Sequence, residues 1–205
     1  PYRRQRQMCI RDRSRSLGME FATAAFHNSY YFHKDDNVIT NKEEVCGDFE
    51  KLINLQLKEK HPKSWMRAFF NMGLINYIEG SRRMLPCQAG EMNFFVEPYG
   101  DIYPCNGLEK KYWKKSMGNI RETPNFKEIW EGEQAEQVRQ MVRRCPKNCW
   151  MVGTASPVMH KYIKYPLKWA LKNKLRSLQG KTACLDKCWY NVGQDPSQGD
   201  LREVF

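Results

Sequence analysis

No apolar run in this chain approaches the ~20 residues of a membrane-spanning helix, and no apolar signal-peptide core follows its N-terminus. The cytoplasm is therefore the expected compartment. There disulfides are rare, and cysteine pairs more often mean metal or catalysis. Short C-x-x-C knuckles, which structural zinc prefers, are absent. An initiator methionine is also lacking, and a fragment without its N-terminal part is expected. These absences govern how the 8 cysteines that are present should be read.

The hydrophobic content of 41% is near the globular average, so a packed core is possible. A net charge of +11 would ordinarily suggest an anionic partner. Much of it sits in PYRRQRQMCIRDRSRS, residues 1–16, where six arginines face one aspartate. That segment carries +5 and leaves +6 for the remainder. Because QRQMCIRDR looks like translated adaptor sequence, residues 1–16, with Cys9, are expected to be a non-native or disordered leader. A nucleic-acid-binding arm is the rival reading.

The rest reads as an α+β chain. LGMEFATAAF, Leu17 to Phe26, has the apolar, small-residue texture of a buried strand. Thr40 and Glu43 form a capping box for a helix to about Lys60, with Val45, Phe49, Ile53 and Leu57 on its apolar face and Cys46 a small buried thiol beside it. Ser64 caps a second helix that stops at Gly80. From residue 84 the texture changes. NFFVE and DIYPC are short strands separated by Pro98, Tyr99 and Gly100, and Met117 to Ile120 supplies a third. PNFKEIWEGEQAEQVRQMVRR reads as one long amphipathic helix ending before Cys145. Ser156 and Pro157 open a further helical stretch, Pro166 kinks or restarts it, and Gly180 closes it. The expected units are 1–16, 17–83, 84–155 and 156–205.

Cys87 enters the hairpin and Cys105 leaves it, so strand pairing brings the two thiols together. Cys145 and Cys149 sit in CPKNCW, where a three-residue gap lets both face one point. Fe–S clusters and structural zinc both require four such soft ligands. Unligated buried thiols and a Cys87–Cys105 disulfide are the bland alternatives. The missing C-x-x-C gap tilts the choice of metal towards iron without settling it.

The run C-x12-G-x4-C from Cys87 through Gly100 to Cys105 resembles the opening signature of SPASM and twitch domains. These are C-terminal extensions of radical S-adenosylmethionine enzymes and bind auxiliary 4Fe-4S clusters. VEPYGDIYPC is similar to their hairpin, MGNI followed by FKEIW to the segment after it, and Cys145 with Cys149 to the closing pair. The resemblance implies that Cys87, Cys105, Cys145 and Cys149 ligate an auxiliary 4Fe-4S cluster. It implies that Leu17 to Gly80 is the end of a partial α/β barrel, and that a ferredoxin or flavodoxin is a plausible electron donor. No C-x3-C-x2-C is present, so S-adenosylmethionine and a catalytic cluster are expected only in a missing N-terminal part. The seven-cysteine SPASM pattern is also incomplete, which suits a single-cluster, twitch-like arrangement. A zinc-stabilised binding module whose basic helix contacts nucleic acid or membrane is the alternative function.

Three features stay outside that reading. Cys184 and Cys188 in CLDKCW echo CPKNCW, but two thiols do not fill a site. His27 and His33 could face substrate and move a proton, but hydrogen-bonded structural histidines are commoner, and neither is expected to be catalytic. Between His160 and Leu175, lysines alternate with Tyr162, Ile163, Leu167, Trp169, Leu171 and Leu175. The commonest meaning is a solvated face opposite a core face; the sharper one is peripheral contact with an anionic membrane or substrate.

Overall fold

The computed structural model describes residues 2–29, 33–34, 36–107, 115–145 and 147–185. In chain order the elements are α1 (Tyr2–Ser16), α2 (Lys42–Lys58), α3 (Pro62–Ile78), β1 (Phe95–Val96), β2 (Asp101–Tyr103), β3 (Gly118–Asn119), α4 (Phe126–Glu131), α5 (Glu133–Arg143), α6 (Val152–Lys161) and α7 (Lys164–Leu178).

The periodicity of α2 does what its spacing dictates: Ile53 and Leu57 are fully buried, and Cys46 is buried beside them. Its cap lies one residue later than expected. Asn41, not Thr40, precedes the helix, and its side-chain amide donates to Glu44 at 3.1 Å. Pro62 opens α3, where its fixed φ and missing N–H are harmless. The expected cap Ser64 lies inside the first turn and donates to Glu59. Since α3 is apolar around most of its girth, it becomes the central helix, with Phe69 and Leu74 wholly buried. Gly80, at φ 75, ends it, while the Ser81 amide donates back to the Asn76 carbonyl at 3.1 Å.

The three strands form one antiparallel sheet in the order β1-β2-β3, with Val96 opposite Ile102 and Ile102 opposite Gly118. Pro98 presets the turn between β1 and β2. The Gly100 amide donates to Glu97 at 2.9 Å, and Gly100 itself takes φ 95, which a Cβ would resist. The single helix expected from PNFKEIWEGEQAEQVRQMVRR is two. Gly132 is extended (φ −70, ψ 156) and ends α4 while opening α5.

Two apolar cores result. One gathers Ile53, Phe69, Leu74 and Leu85 with Trp150, Val158 and Trp169, so it joins α2 and α3 to α6 and α7. The other gathers Ala89, Ile102, Met117, Ile129, Val138 and Val142, with Cys87, Cys105 and Cys145 packed against it.

Several expectations meet a different arrangement. Residues 19–26 hold no regular secondary structure, and no strand pairs with them among the described residues. They lie on α3 instead. Glu20 bridges Lys63 and Arg67, and the Tyr77 hydroxyl donates to the Phe26 carbonyl at 2.9 Å. The stretch from residue 156, expected as a separate extension, shares a core with α2 and α3. Trp169 meets Phe69 edge-on at 5.7 Å, and Lys174 Nζ caps α2 through the Leu57 and Glu59 carbonyls at 2.8 and 2.9 Å. Helix α1 falls within residues 1–16, and its Arg15 reaches Glu59 at 2.8 Å, which bears on order in that segment and not on its origin. Among the described residues no helix is long and apolar enough to cross a membrane.

Candidate metal centre

Strand pairing and the two loops after α5 and β2 decide where the sulfurs go. Cys87 precedes the hairpin, whose base is closed by the Gly90 amide donating to Asn93 at 2.7 Å and by Asn93 Nδ2 donating to Pro104 at 3.2 Å. Cys105 leaves the same hairpin two residues after β2, and Cys145 follows the end of α5 by two. Cys149 closes the next loop, directly before the buried Trp150.

The four thiols are free of disulfides and interact electrostatically in every pairwise combination. Burial pushes Cys105 up to about 12, with Cys87, Cys149 and Cys145 adding to the rise. Burial likewise pushes Cys145 up to about 11, and it raises Cys149. Opposing this, the backbone amides of Gly107 and Lys147 donate to the sulfurs of Cys105 and Cys145. Each amide comes from two residues further along the chain. Such N–H groups favour thiolate over thiol, and they tune a cluster once bound.

Residues beyond the cysteines fix this geometry. Arg83, itself buried, donates to the Cys149 carbonyl at 2.6 Å and to the Leu85 carbonyl at 2.9 Å. Its remaining Nη2 is buried without a partner among the described residues, and its charge favours the Cys149 thiolate. An unpaired buried donor beside desolvated thiols suits an anionic sulfur group there. Asn148 Nδ2 donates to the carbonyls of Tyr77 and Ser81 at 3.2 and 2.9 Å, anchoring CPKNCW on the end of α3. Lys147 Nζ donates to the Gly107 carbonyl at 3.0 Å and ties the two cysteine loops together.

His27 proves to be part of this scaffold. The Trp150 amide donates to its Nε2 at 3.1 Å, which leaves the ring proton on Nδ1 for the Ala25 carbonyl at 2.8 Å. Burial, helped by the charges of Arg83 and Lys147, lowers its pKa and keeps that neutral tautomer. The ring stacks on Tyr77 at 4.0 Å. His33 instead occupies a turn with φ 50, between the paired Ser29 and Lys34. Of these supports, only the Trp following each cysteine pair was visible in sequence. Arg83, Asn148 and the His27 contact reach the loop across 66 to 123 residues of chain, with no local pattern.

Among the described residues, no three His, Cys, Asp or Glu side chains converge closely enough for a single metal ion. A tetrahedral zinc site would need sulfurs about 3.8 Å apart, given Zn–S bonds of ~2.3 Å. A four-iron cluster takes each thiolate on a separate iron, so it asks for a wider sulfur spacing than a single ion does. The Cys184 amide donates to Asn173 Oδ1 at 2.7 Å. Cys188 lies outside the described residues. A separate cleft of about 630 Å³, lined by Phe21, Met66, Phe70, Met159 and Ile163 with Lys63 and Arg67 at its polar side, contains none of the cysteines.

The raised thiols have a consequence for the metal-free protein. A thiol with a raised folded-state pKa binds its proton more tightly in the fold than in the unfolded chain. The resulting stability is complete below the unfolded thiol value and is lost as pH climbs towards the folded values of about 11 and 12. Tyr77, pushed by burial to about 12, contributes with the same sign. Reduced, metal-free protein should lose on the order of 2 kcal/mol of unfolding free energy between about pH 8 and pH 10.5. Urea titrations check this, and the Cys105→Ala/Cys145→Ala protein should show a shallower fall.

Neither a curated protein nor a solved structure matches this chain. A protein family does, over the segment that carries all four thiols and both of their loops. Residues 87–151 of this chain match the model of the SPASM family, an iron-sulfur cluster-binding domain.

Proposed function

We infer that Cys87, Cys105, Cys145 and Cys149 hold an auxiliary 4Fe-4S cluster, and that the chain is the C-terminal part of a radical S-adenosylmethionine oxidoreductase or maturase. The observation that carries this reading is the mutual interaction of all four thiols, three of them desolvated, within a SPASM domain. When bound, the cluster supplies a one-electron relay. Four protein thiolates occupy all four irons and leave none for substrate, which favours electron transfer over substrate anchoring. The chain's own residues do the rest. Gly107 and Lys147 amides hold two sulfurs, Arg83 offsets thiolate charge at Cys149, and Trp150 with the second apolar core keeps water away. A ferredoxin or flavodoxin would exchange the electron. Cleavage of S-adenosylmethionine needs the C-x3-C-x2-C cluster that this sequence does not contain.

Anaerobic reconstitution of the full chain with iron and sulfide tests the proposal. Expected is a brown protein with thiolate-to-iron charge-transfer absorption and about four iron and four sulfide per chain. Colourless protein carrying stoichiometric zinc would overturn it in favour of a metal that only folds the domain.

A further inference from the structure

Helix α7 presents three faces, and among the described residues only one of them packs into a core. Pro166, Trp169, Ala170 and Asn173 are buried against the first core. A second face carries Ile163, Leu167, Leu171 and Leu175, spaced by four, with Leu178 continuing the line. The commoner meaning of the pattern places Ile163, Leu167, Leu171 and Leu175 in a core together with Trp169. Instead they are open to solvent, from 43% exposed at Leu167 to 71% at Leu178. Exposed aliphatics scattered singly need no explanation, whereas a continuous line of five does.

The third face is a row of lysines. Lys164, Lys168 and Lys172 each follow one of the exposed aliphatics by a single residue, so the basic row runs beside the apolar line for its whole length. All three are exposed. A solvated helix face normally interleaves both signs of charge. Here the chain from Trp150 to Leu185 contains no Asp or Glu, and Lys168 and Lys172 make no ion pair with any described residue. Lys164 lies over the Tyr165 ring at 4.9 Å.

We propose that α7 is a docking face for an anionic lipid surface. The helix lies flat, the Ile163-to-Leu178 line enters the boundary between headgroups and acyl chains, and the lysines reach anionic headgroups along the same edge. A bilayer is the occupant that matches both features at once. It accepts an exposed apolar line without a complementary groove, and its negative surface potential meets a cationic row that has no acidic partner among the described residues. This inference rests on α7 alone and is independent of the cluster reading.

Flotation of the full chain with phosphatidylcholine vesicles, with and without phosphatidylserine, tests it. Expected is co-flotation with the phosphatidylserine vesicles that weakens as salt is added. Lys164→Gln/Lys168→Gln/Lys172→Gln should weaken that binding roughly 100-fold. Leu167→Ser/Leu171→Ser/Leu175→Ser should abolish it. Both variants should keep the parent's thermal unfolding, because the altered side chains are exposed. Three outcomes overturn the proposal: no co-flotation, equal binding to both vesicle types, or insensitivity to either variant. A concentration-dependent dimer that the leucine variant dissolves, without flotation, assigns the face to a second copy of the chain and overturns it equally.

Discussion

Cys105→Ala is expected to leave less than about a tenth of the parent's iron and sulfide after anaerobic reconstitution and gel filtration, and to remove the charge-transfer absorption. Of the four thiols, Cys105 has the strongest combination of constraints. It leaves the hairpin after β2, packs on the second core, receives the Gly107 amide and interacts with each of the other three sulfurs. Without it the remaining three thiols cannot complete a four-thiolate cluster, and the Gly107 amide loses its acceptor. Small polar substitution does not rescue the site, so Cys105→Ser should stay well below the parent.

The informative comparison is with cysteines that the geometry leaves out. Cys46→Ala alters a buried thiol on α2, in the first core, and Cys184→Ala alters a residue tied to Asn173. Both proteins should reconstitute to the parent's iron content. Full iron in Cys105→Ala, or its loss in Cys184→Ala, would mean that the ligand set has been drawn wrongly. The second result would bring the CLDKCW pair into the site.

The cysteine framework was legible because its constraints are local. The hairpin turn is written in Pro98 and Gly100, and the register that follows, Phe95 opposite Tyr103, sets Cys105 just past the paired end, near the 88–93 turn that Cys87 precedes and that the Gly90 amide closes on Asn93. The three-residue gap in CPKNCW is equally local. What was not legible depends on contacts distant in sequence. LGMEFATAAF has strand texture, but texture does not supply a neighbouring strand, and Glu20 with its two cations holds it against α3. Gly132 reads as a tolerable glycine in a helical pattern, and only the packing of α4 and α5 reveals a break. The sharpest case is α7. The pattern groups Trp169 with Leu167, Leu171 and Leu175, whereas the fold buries Trp169 with Ala170 and leaves the three leucines exposed, a choice that packing makes and composition does not.

Trp150 is where the first core, the cysteine loop and α3 are joined, and its removal should have the largest effect on stability of any single change. The side chain is 1% exposed, donates from Nε1 to the Phe70 carbonyl at 2.9 Å, and meets Phe69 and Phe70 with ring centroids 6.5 and 6.3 Å apart. Trp150→Ala should cost about 3–5 kcal/mol in urea unfolding of the reduced, metal-free protein. It should also reduce iron retention, because the neighbouring Cys149 is positioned through the same backbone. The indole lies directly over Gly73 of α3, where an added Cβ would sit 2.1 Å from Trp150 Cε2. Gly73→Ala therefore forces the ring out of its seat and should cost about 1–3 kcal/mol, although alanine is the better helix former by ~1 kcal/mol. In the Trp150→Ala background the clash is gone. There the same Gly73→Ala change should be neutral or stabilising by up to ~1 kcal/mol, a reversal of sign that additive behaviour does not produce. If Gly73→Ala is harmless in the parent, the indole is not seated on α3, and the link from that helix to the cysteine loop fails with it.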